Sequence, residues 1–210
     1  MLISWTFKCE TCGKQNNKPV KLSDSQYDWV CDCGTPNVEI FGSTITTGFK
    51  LILRSQYELN EIRDYNLSIV FSAMAVDCEL SRLFIKWEKI KSLRDYKLPD
   101  GEKIESLLRQ YPRISKKLKK VCDILYTEGI QDFFYRNPDI EISLAKLIEN
   151  FSPKSFYKDI EKNLFWIRNR IVHLGDSSFK HEDAAQCHNI ANILLGILNR
   201  MDLSKREQTL

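Results

Sequence analysis

Four cysteines near the N-terminus have the spacing of a metal site. Cys9 and Cys12 form a C-x2-C pair, and Cys31 and Cys33 form a C-x-C pair eighteen residues further on. A glycine follows each pair and lets the backbone turn tightly enough for its amides to face the sulfurs. Two close pairs of thiolates can surround Zn²⁺ as a tetrahedron, and four sulfurs fill its coordination shell, so we expect a structural zinc ion. The alternative is four thiols without a metal.

A second group of reactive residues lies in NLFWIRNRIVHLGDSS, residues 163–178. Arg168 and His173 form an R-x4-H motif that suits the cleavage of RNA. A neutral imidazole can take the proton of a 2′-hydroxyl, and a guanidinium offers forked donors to a phosphate that gains negative charge. This chemistry needs no cofactor. The alternative is that Arg168 and Arg170 are solvated cations near a helix C-terminus and that His173 contacts the last carbonyls.

Two regions that differ in their pattern of apolar residues position these groups. Residues 1–48 alternate apolar and polar positions and are rich in turn residues, which predicts a small β module. From about residue 50 the apolar positions recur every three to four residues, so residues 49–210 are expected to form a helical domain. The predicted helices cover about residues 60–93, 102–110, 114–127, 139–149, 153–173 and 182–201.

A basic face is predicted on the helix at residues 114–127. Lys116, Lys117 and Lys120 share this face and are candidates for substrate binding. A solvated face of an amphipathic helix explains the pattern equally well. Phe165 and Trp166 are able to stack on bases, although aromatics in apolar helical patterns usually lie in a core or an interface.

The overall composition does not point to a particular partner. Thirty-one Lys and Arg balance 28 Asp and Glu to a net charge of +3. The N-terminus has no pattern of a secretory signal, and the longest apolar run, at residues 190–198, is shorter than the roughly 20 residues that cross a bilayer. We therefore expect a cytoplasmic protein without membrane contacts.

The helical region resembles the HEPN family of ribonuclease domains over about residues 50–203. Three features carry the resemblance: the stretch Ala-Val-Asp-x-Glu at residues 75–79 in a long helix, the R-N-x-x-x-H helix, and a final helix after a short polar loop. The cysteine region resembles a zinc ribbon, with one residue fewer in its second pair. The expected fold is thus mainly α, an up-and-down helical bundle preceded by a small β zinc-ribbon module.

The HEPN resemblance implies a homodimer in which each subunit contributes an Arg and a His to one cleft, where RNA is cleaved without a metal by attack of the 2′-hydroxyl. It assigns stabilisation of the phosphate to Arg168, acid/base chemistry to His173 and orientation of the phosphate to Asn169. It assigns the acidic residue that reaches the site to Asp77, in preference to Glu79.

The resemblance further implies that Arg170 helps to bind RNA. The biological setting it implies is a toxin or an antiviral defence effector, with an antitoxin or a regulatory protein as a further partner. The alternative is a non-catalytic RNA- or protein-binding module built on the same bundle.

Overall fold

The N-terminal region folds into two antiparallel hairpins. In the computed structural model, the described residues are 2–9, 11–21, 26–40 and 46–207. Strand β1 (Leu2–Lys8) pairs with β2 (Gln15–Lys21), and β3 (Gln26–Val30) pairs with β4 (Pro36–Ile40). The last pairs of the two registers are Lys8 with Gln15 and Val30 with Pro36, so each cysteine pair lies in the turn of one hairpin. The predicted short strands are confirmed.

The rest of the described chain is mainly helical, as predicted. The α-helices are α1 (Thr47–Tyr57), α2 (Tyr65–Arg94), α3 (Gly101–Arg109), α4 (Ile114–Leu125), α5 (Ile130–Arg136), α6 (Pro138–Ala145), α7 (Phe156–Ile160), α8 (Ile167–Leu174) and α9 (His181–Glu207). Two π-helical segments are π1 (Glu58–Ile62), which follows α1, and π2 (Glu161–Trp166), which joins α7 to α8. Among the residues described, no helix is both long and apolar enough to cross a membrane.

Helix α2 lies at the centre of the helical region and packs against α1, α3, α4, α8 and α9. Its buried residues include Leu80 and Leu83, which join Ile190 and Leu194 of α9 in one apolar core. Gly48 permits the close crossing of α1 and α2, because a Cβ atom there would lie 2.7 Å from the carbonyl oxygen of Ala75.

The prediction of a helix from about residue 60 is wrong at its N-terminal end. Arg63 adopts a left-handed conformation with φ of 63°, and Asp64 caps α2 by accepting a hydrogen bond from the Leu67 amide at 2.9 Å. Residues 58–62 instead continue α1, a helix that was not predicted. The last helix extends to Glu207, beyond its predicted end.

The predicted helix at 153–173 also differs, because π2 interrupts it and its first regular turn begins only at Phe156. A π-turn contains an extra residue, which changes the helical face from there on. This change buries both Leu164 and Phe165 and leaves Trp166 exposed. Between α4 and π2, α6 confirms most of the helix predicted at 139–149 but ends at Ala145. Helix α5 was not predicted, and it meets α6 at Asn137 and Pro138.

Candidate functional site

The four cysteines of the hairpin turns form a compact cluster. Their sulfur atoms all lie within 4.8 Å of one another. The Sγ atoms of Cys9 and Cys33 are 3.8 Å apart, and those of Cys12 and Cys31 are 3.7 Å apart. A tetrahedron with Zn–S bonds of about 2.3 Å requires sulfurs separated by about 3.8 Å, whereas a disulfide needs about 2.05 Å. The donor set and its geometry therefore fit a four-coordinate metal ion.

Two asparagines support this cluster in a crosswise pattern. Asn16 Nδ2 donates to the Lys14 carbonyl at 3.2 Å and to Cys31 Sγ at 3.6 Å. Asn37 Nδ2 donates to the Thr35 carbonyl at 2.9 Å and to Cys9 Sγ at 3.8 Å. Each asparagine stands four residues after the second cysteine of its own pair and reaches the first cysteine of the other pair. Amide donors of this kind orient thiolate ligands.

Sequence reasoning missed these two residues. The repeated C-x3-N spacing, from Cys12 to Asn16 and from Cys33 to Asn37, was the signal that could have found them.

The surroundings of the cysteines stabilise the thiolate form to different extents from one cysteine to the next. A backbone hydrogen bond from Cys12 lowers the pKa of Cys9, and the Thr35 hydroxyl, 3.3 Å from Cys33 Sγ, lowers the pKa of Cys33 to about 6. The Lys14 amide also lowers the pKa of Cys12, but the neighbouring sulfurs outweigh it and raise that pKa to about 11. Ionising all four thiols in one place is opposed by their mutual repulsion, which a divalent cation would remove.

A cavity of about 600 Å³ lies between α2, the start of α4 and the π2–α8 segment. Its lining includes four of the residues that the sequence predicted for the site: Asp77, Lys117, Arg168 and Asn169. These residues come from three helices, and the fold brings them together. The interaction of Lys117 with Asp77 was not foreseen, since Lys117 was predicted only as part of a basic face.

Two polar contacts order this wall of the cavity. Lys117 Nζ lies 2.6 Å from Asp77 Oδ1, with the lysine side chain 14% exposed and the carboxylate 50% exposed. Arg168 Nη1 donates to Asn169 Oδ1 at 2.9 Å. Five cations line the cavity against two carboxylates. The cations are Arg113, Lys117, Lys158, Lys162 and Arg168, and the carboxylates are Asp77 and Glu161. The cavity therefore favours an anionic occupant.

Arg170 organises the loop that ends α8. Its guanidinium lies over the rings of Trp166 and Phe179, 5.0 and 5.2 Å from their centroids, and forms an ion pair with Asp176. Hydrogen bonds from the Ser178 hydroxyl and amide, together with Arg170, lower the pKa of Asp176.

The end of α8 itself is a glycine cap. Gly175 is left-handed with φ of 65°, and its amide bonds to the Ile171 carbonyl at 3.1 Å. The cap stops the helix directly after the R-x4-H motif and begins the loop that Arg170 and Asp176 hold.

His173 lies in the last turn of α8 with its ring exposed to solvent. Five helical steps place it about 140° around the axis from Arg168, and it does not line the cavity of its own chain. Within residues 46–207, no hydrogen bond or ion pair holds its ring. Lys116, Lys120 and Arg170 also lie outside the cavity lining.

Comparisons of the chain with protein-family models, with curated proteins and with solved structures find no match. The resemblance to HEPN domains therefore stays a prediction from the sequence.

Proposed function

We propose that the protein is a metal-independent endoribonuclease of the HEPN type, which cleaves RNA by attack of the 2′-hydroxyl at a composite Arg/His site of a homodimer. The observation that supports this proposal is the cavity shared by Asp77, Lys117, Arg168 and Asn169. Residues far apart in sequence converge there and supply one need of the reaction, a fixed cation in positive surroundings for the phosphate.

Each residue has a role in this mechanism. Arg168 binds the scissile phosphate and stabilises the charge that develops on it, and Asn169 holds the guanidinium through its side-chain oxygen. Asp77 fixes the ammonium of Lys117 at the cavity wall, where it attracts the phosphate. His173 takes the proton from the 2′-hydroxyl and returns one to the leaving 5′-oxygen.

The proposal needs two chains because one chain does not bring its own imidazole to its cavity. The surface around His173 carries exposed apolar side chains, with Val172 46% and Leu174 76% exposed. A second copy would cover them and bring its imidazole to the first copy's phosphate.

We further propose that the ion of the cysteine cluster is Zn²⁺, in a structural role. Four thiolates complete its coordination and leave no position for a substrate, so zinc would hold the two hairpin turns together. A cytoplasmic toxin or antiviral defence effector, regulated by an antitoxin or another protein, is the setting that the HEPN resemblance suggests.

The experiment compares RNA cleavage by the wild type, His173→Ala and Arg168→Ala in EDTA, with zinc retention measured in parallel. Loss of the general base should slow cleavage by about 10²–10⁴-fold, and the products should end in 2′,3′-cyclic phosphates. His181→Ala, which changes another exposed histidine, should cleave as the wild type does. Equal rates for wild type and His173→Ala, or no cleavage of any RNA tested, would refute the proposal.

A mixing experiment tests the composite site. His173→Ala and Arg168→Ala are each expected to be inactive, whereas a mixed dimer has one intact Arg and one intact His across the interface. The mixture should therefore recover activity that neither variant has alone. Failure to recover activity, with exchange of subunits shown independently, would exclude a site shared between chains.

A second candidate is a binding module that does not cut RNA. It is favoured by the position of His173 outside the cavity, since cations alone bind phosphate. For this candidate, Arg168→Ala weakens RNA binding, while His173→Ala has no effect and RNA stays intact. In cells, growth arrest on overexpression that persists in His173→Ala would favour binding over catalysis.

A further inference from the structure

The cavity that contains Arg168 has an apolar side as well as a polar one. Met74, Ile114, Phe165 and Trp166 contribute to its lining. Phe165 is buried, whereas Met74 and Trp166 expose 38% and 54% of their surface. An exposed ring and thioether beside a buried ring provide a flat, polarisable surface of the kind on which nucleobases stack.

One face of the Trp166 ring is already occupied. Arg170 lies over it at 5.0 Å and is itself held by its ion pair with Asp176. The ring is thereby fixed in place before any ligand arrives, which lowers the entropic cost of stacking on the surface that remains exposed.

Besides Arg168, three cations at this cavity have no acidic partner among the described residues. Arg113, Lys158 and Lys162 are exposed lining residues, and none of them forms an ion pair within the part of the chain that the structure describes. Lys158 and Lys162 lie one helical turn apart, so their ammonium groups can approach one phosphate from the same side.

We propose that this side of the cavity binds one unpaired nucleotide of an RNA strand. The base stacks against Trp166 and Met74, and the adjoining phosphate lies on Lys158, Lys162 and Arg113. The volume of about 600 Å³ falls within the usual range of small-molecule sites and accepts a single nucleotide but no duplex. The substrate class is therefore single-stranded RNA, whose bases can leave the stack.

This proposal rests on the proposed function only in taking the bound strand to be RNA. Binding of a base and a phosphate here does not require cleavage, so the two can fail separately.

The test measures binding of a labelled, 2′-O-methylated single-stranded RNA octamer by fluorescence anisotropy. Methylation removes the nucleophile, so binding is measured without turnover. Trp166→Ala should weaken binding by about tenfold, the loss typical of one stacked base. Lys162→Glu should weaken it by about tenfold and reduce the slope of log K against log salt by about one.

Matched variants control for general effects. Tyr135→Ala removes an exposed aromatic outside the cavity lining, and Lys103→Glu reverses an exposed charge on α3. Both should bind the octamer as the wild type does. The duplex of the same sequence should bind at least tenfold more weakly than the single strand.

Three results would overturn the proposal: wild-type binding by both cavity variants, equal binding of the duplex, or binding of AMP without binding of the octamer. Cleavage that survives unchanged in Trp166→Ala and Lys162→Glu would reject this subsite and leave the ribonuclease standing. Octamer binding that depends on these residues, in a protein that cuts no RNA, would reject the ribonuclease and support the subsite.

Discussion

Replacing Asn16 or Asn37 with aspartate tests the crosswise support of the cysteine cluster. Asp has nearly the shape of Asn, but an acceptor oxygen replaces the amide donor that faces the sulfur. The substitution also adds a negative charge beside four thiolates. We therefore expect Asn16→Asp and Asn37→Asp to weaken zinc binding without changing the number of ions bound.

The structure ranks the two effects. Asn16 is 8% exposed and its Nδ2 lies 3.6 Å from Cys31 Sγ, whereas Asn37 is half-buried and its Nδ2 lies 3.8 Å from Cys9 Sγ. Loss of groups that orient metal ligands usually costs 10–100-fold in affinity. Loss of the shorter and less hydrated contact should weaken zinc binding more, so we expect the affinity to fall about thirtyfold in Asn16→Asp and about tenfold in Asn37→Asp.

The assay is competition for zinc against a chromophoric chelator under reducing conditions. Gln15→Ala is the control, because Gln15 is exposed, lies next to Asn16 and has no contact with the cluster among the described residues. Wild-type affinity in both aspartate variants would refute the role of the amides, and a larger loss for Asn37→Asp would refute the ranking.

The remaining predictions concern stability. Gly48→Ala should lower the free energy of unfolding by about 2 kcal/mol, because the new methyl group meets the Ala75 carbonyl at 2.7 Å. Gly196→Ala should raise the free energy of unfolding by about 0.5–1 kcal/mol, since nothing lies within 4 Å of a Cβ atom there. Thermal unfolding measures both changes. A Gly48→Ala variant as stable as the wild type would contradict the close approach of α1 to α2. Burial alone would raise the pKa of Asp202, but hydrogen bonds from Lys86 and Trp87 outweigh it and lower that pKa. This carboxylate therefore stabilises the fold above about pH 4 and the stabilisation is lost as the pH falls through the folded-state pKa. Asp202→Asn should cost about 2 kcal/mol at neutral pH and flatten the acid limb of the stability curve, whereas Asp139→Asn, at an exposed position, should do neither.

The sequence was most informative where a short stretch determines the geometry. The two cysteine pairs predicted the cluster, because residues this close in the chain can turn around one ion whatever the rest of the fold does. The end of α8, predicted at about residue 173, follows the same rule, since Gly175 acts on its immediate neighbours. These features depend on local chemistry alone.

The features that the sequence did not reveal depend on contacts between distant segments. Lys117 has the pattern of a solvated face, and only the approach of α4 to α2 pairs it with Asp77. Arg170 was predicted to help to bind RNA, and its contacts with the rings of Trp166 and Phe179 were not foreseen. Whether His173 meets a phosphate depends on a second chain, which a single sequence cannot place.

The π-turn before Arg168 also sets the direction of that residue. Each residue of an α-helix advances the direction of the side chains by about 100°. Deleting one residue within 161–166 would allow a regular helix to form and leave Arg168 and Asn169 facing the cavity, whereas a regular helix of unchanged length would turn both residues by about that angle. The direction of Arg168 therefore depends on how residues 161–166 accommodate one extra residue, and substitutions that convert this turn into a regular helix of the same length would rotate the motif while the apolar core upstream of it keeps its place.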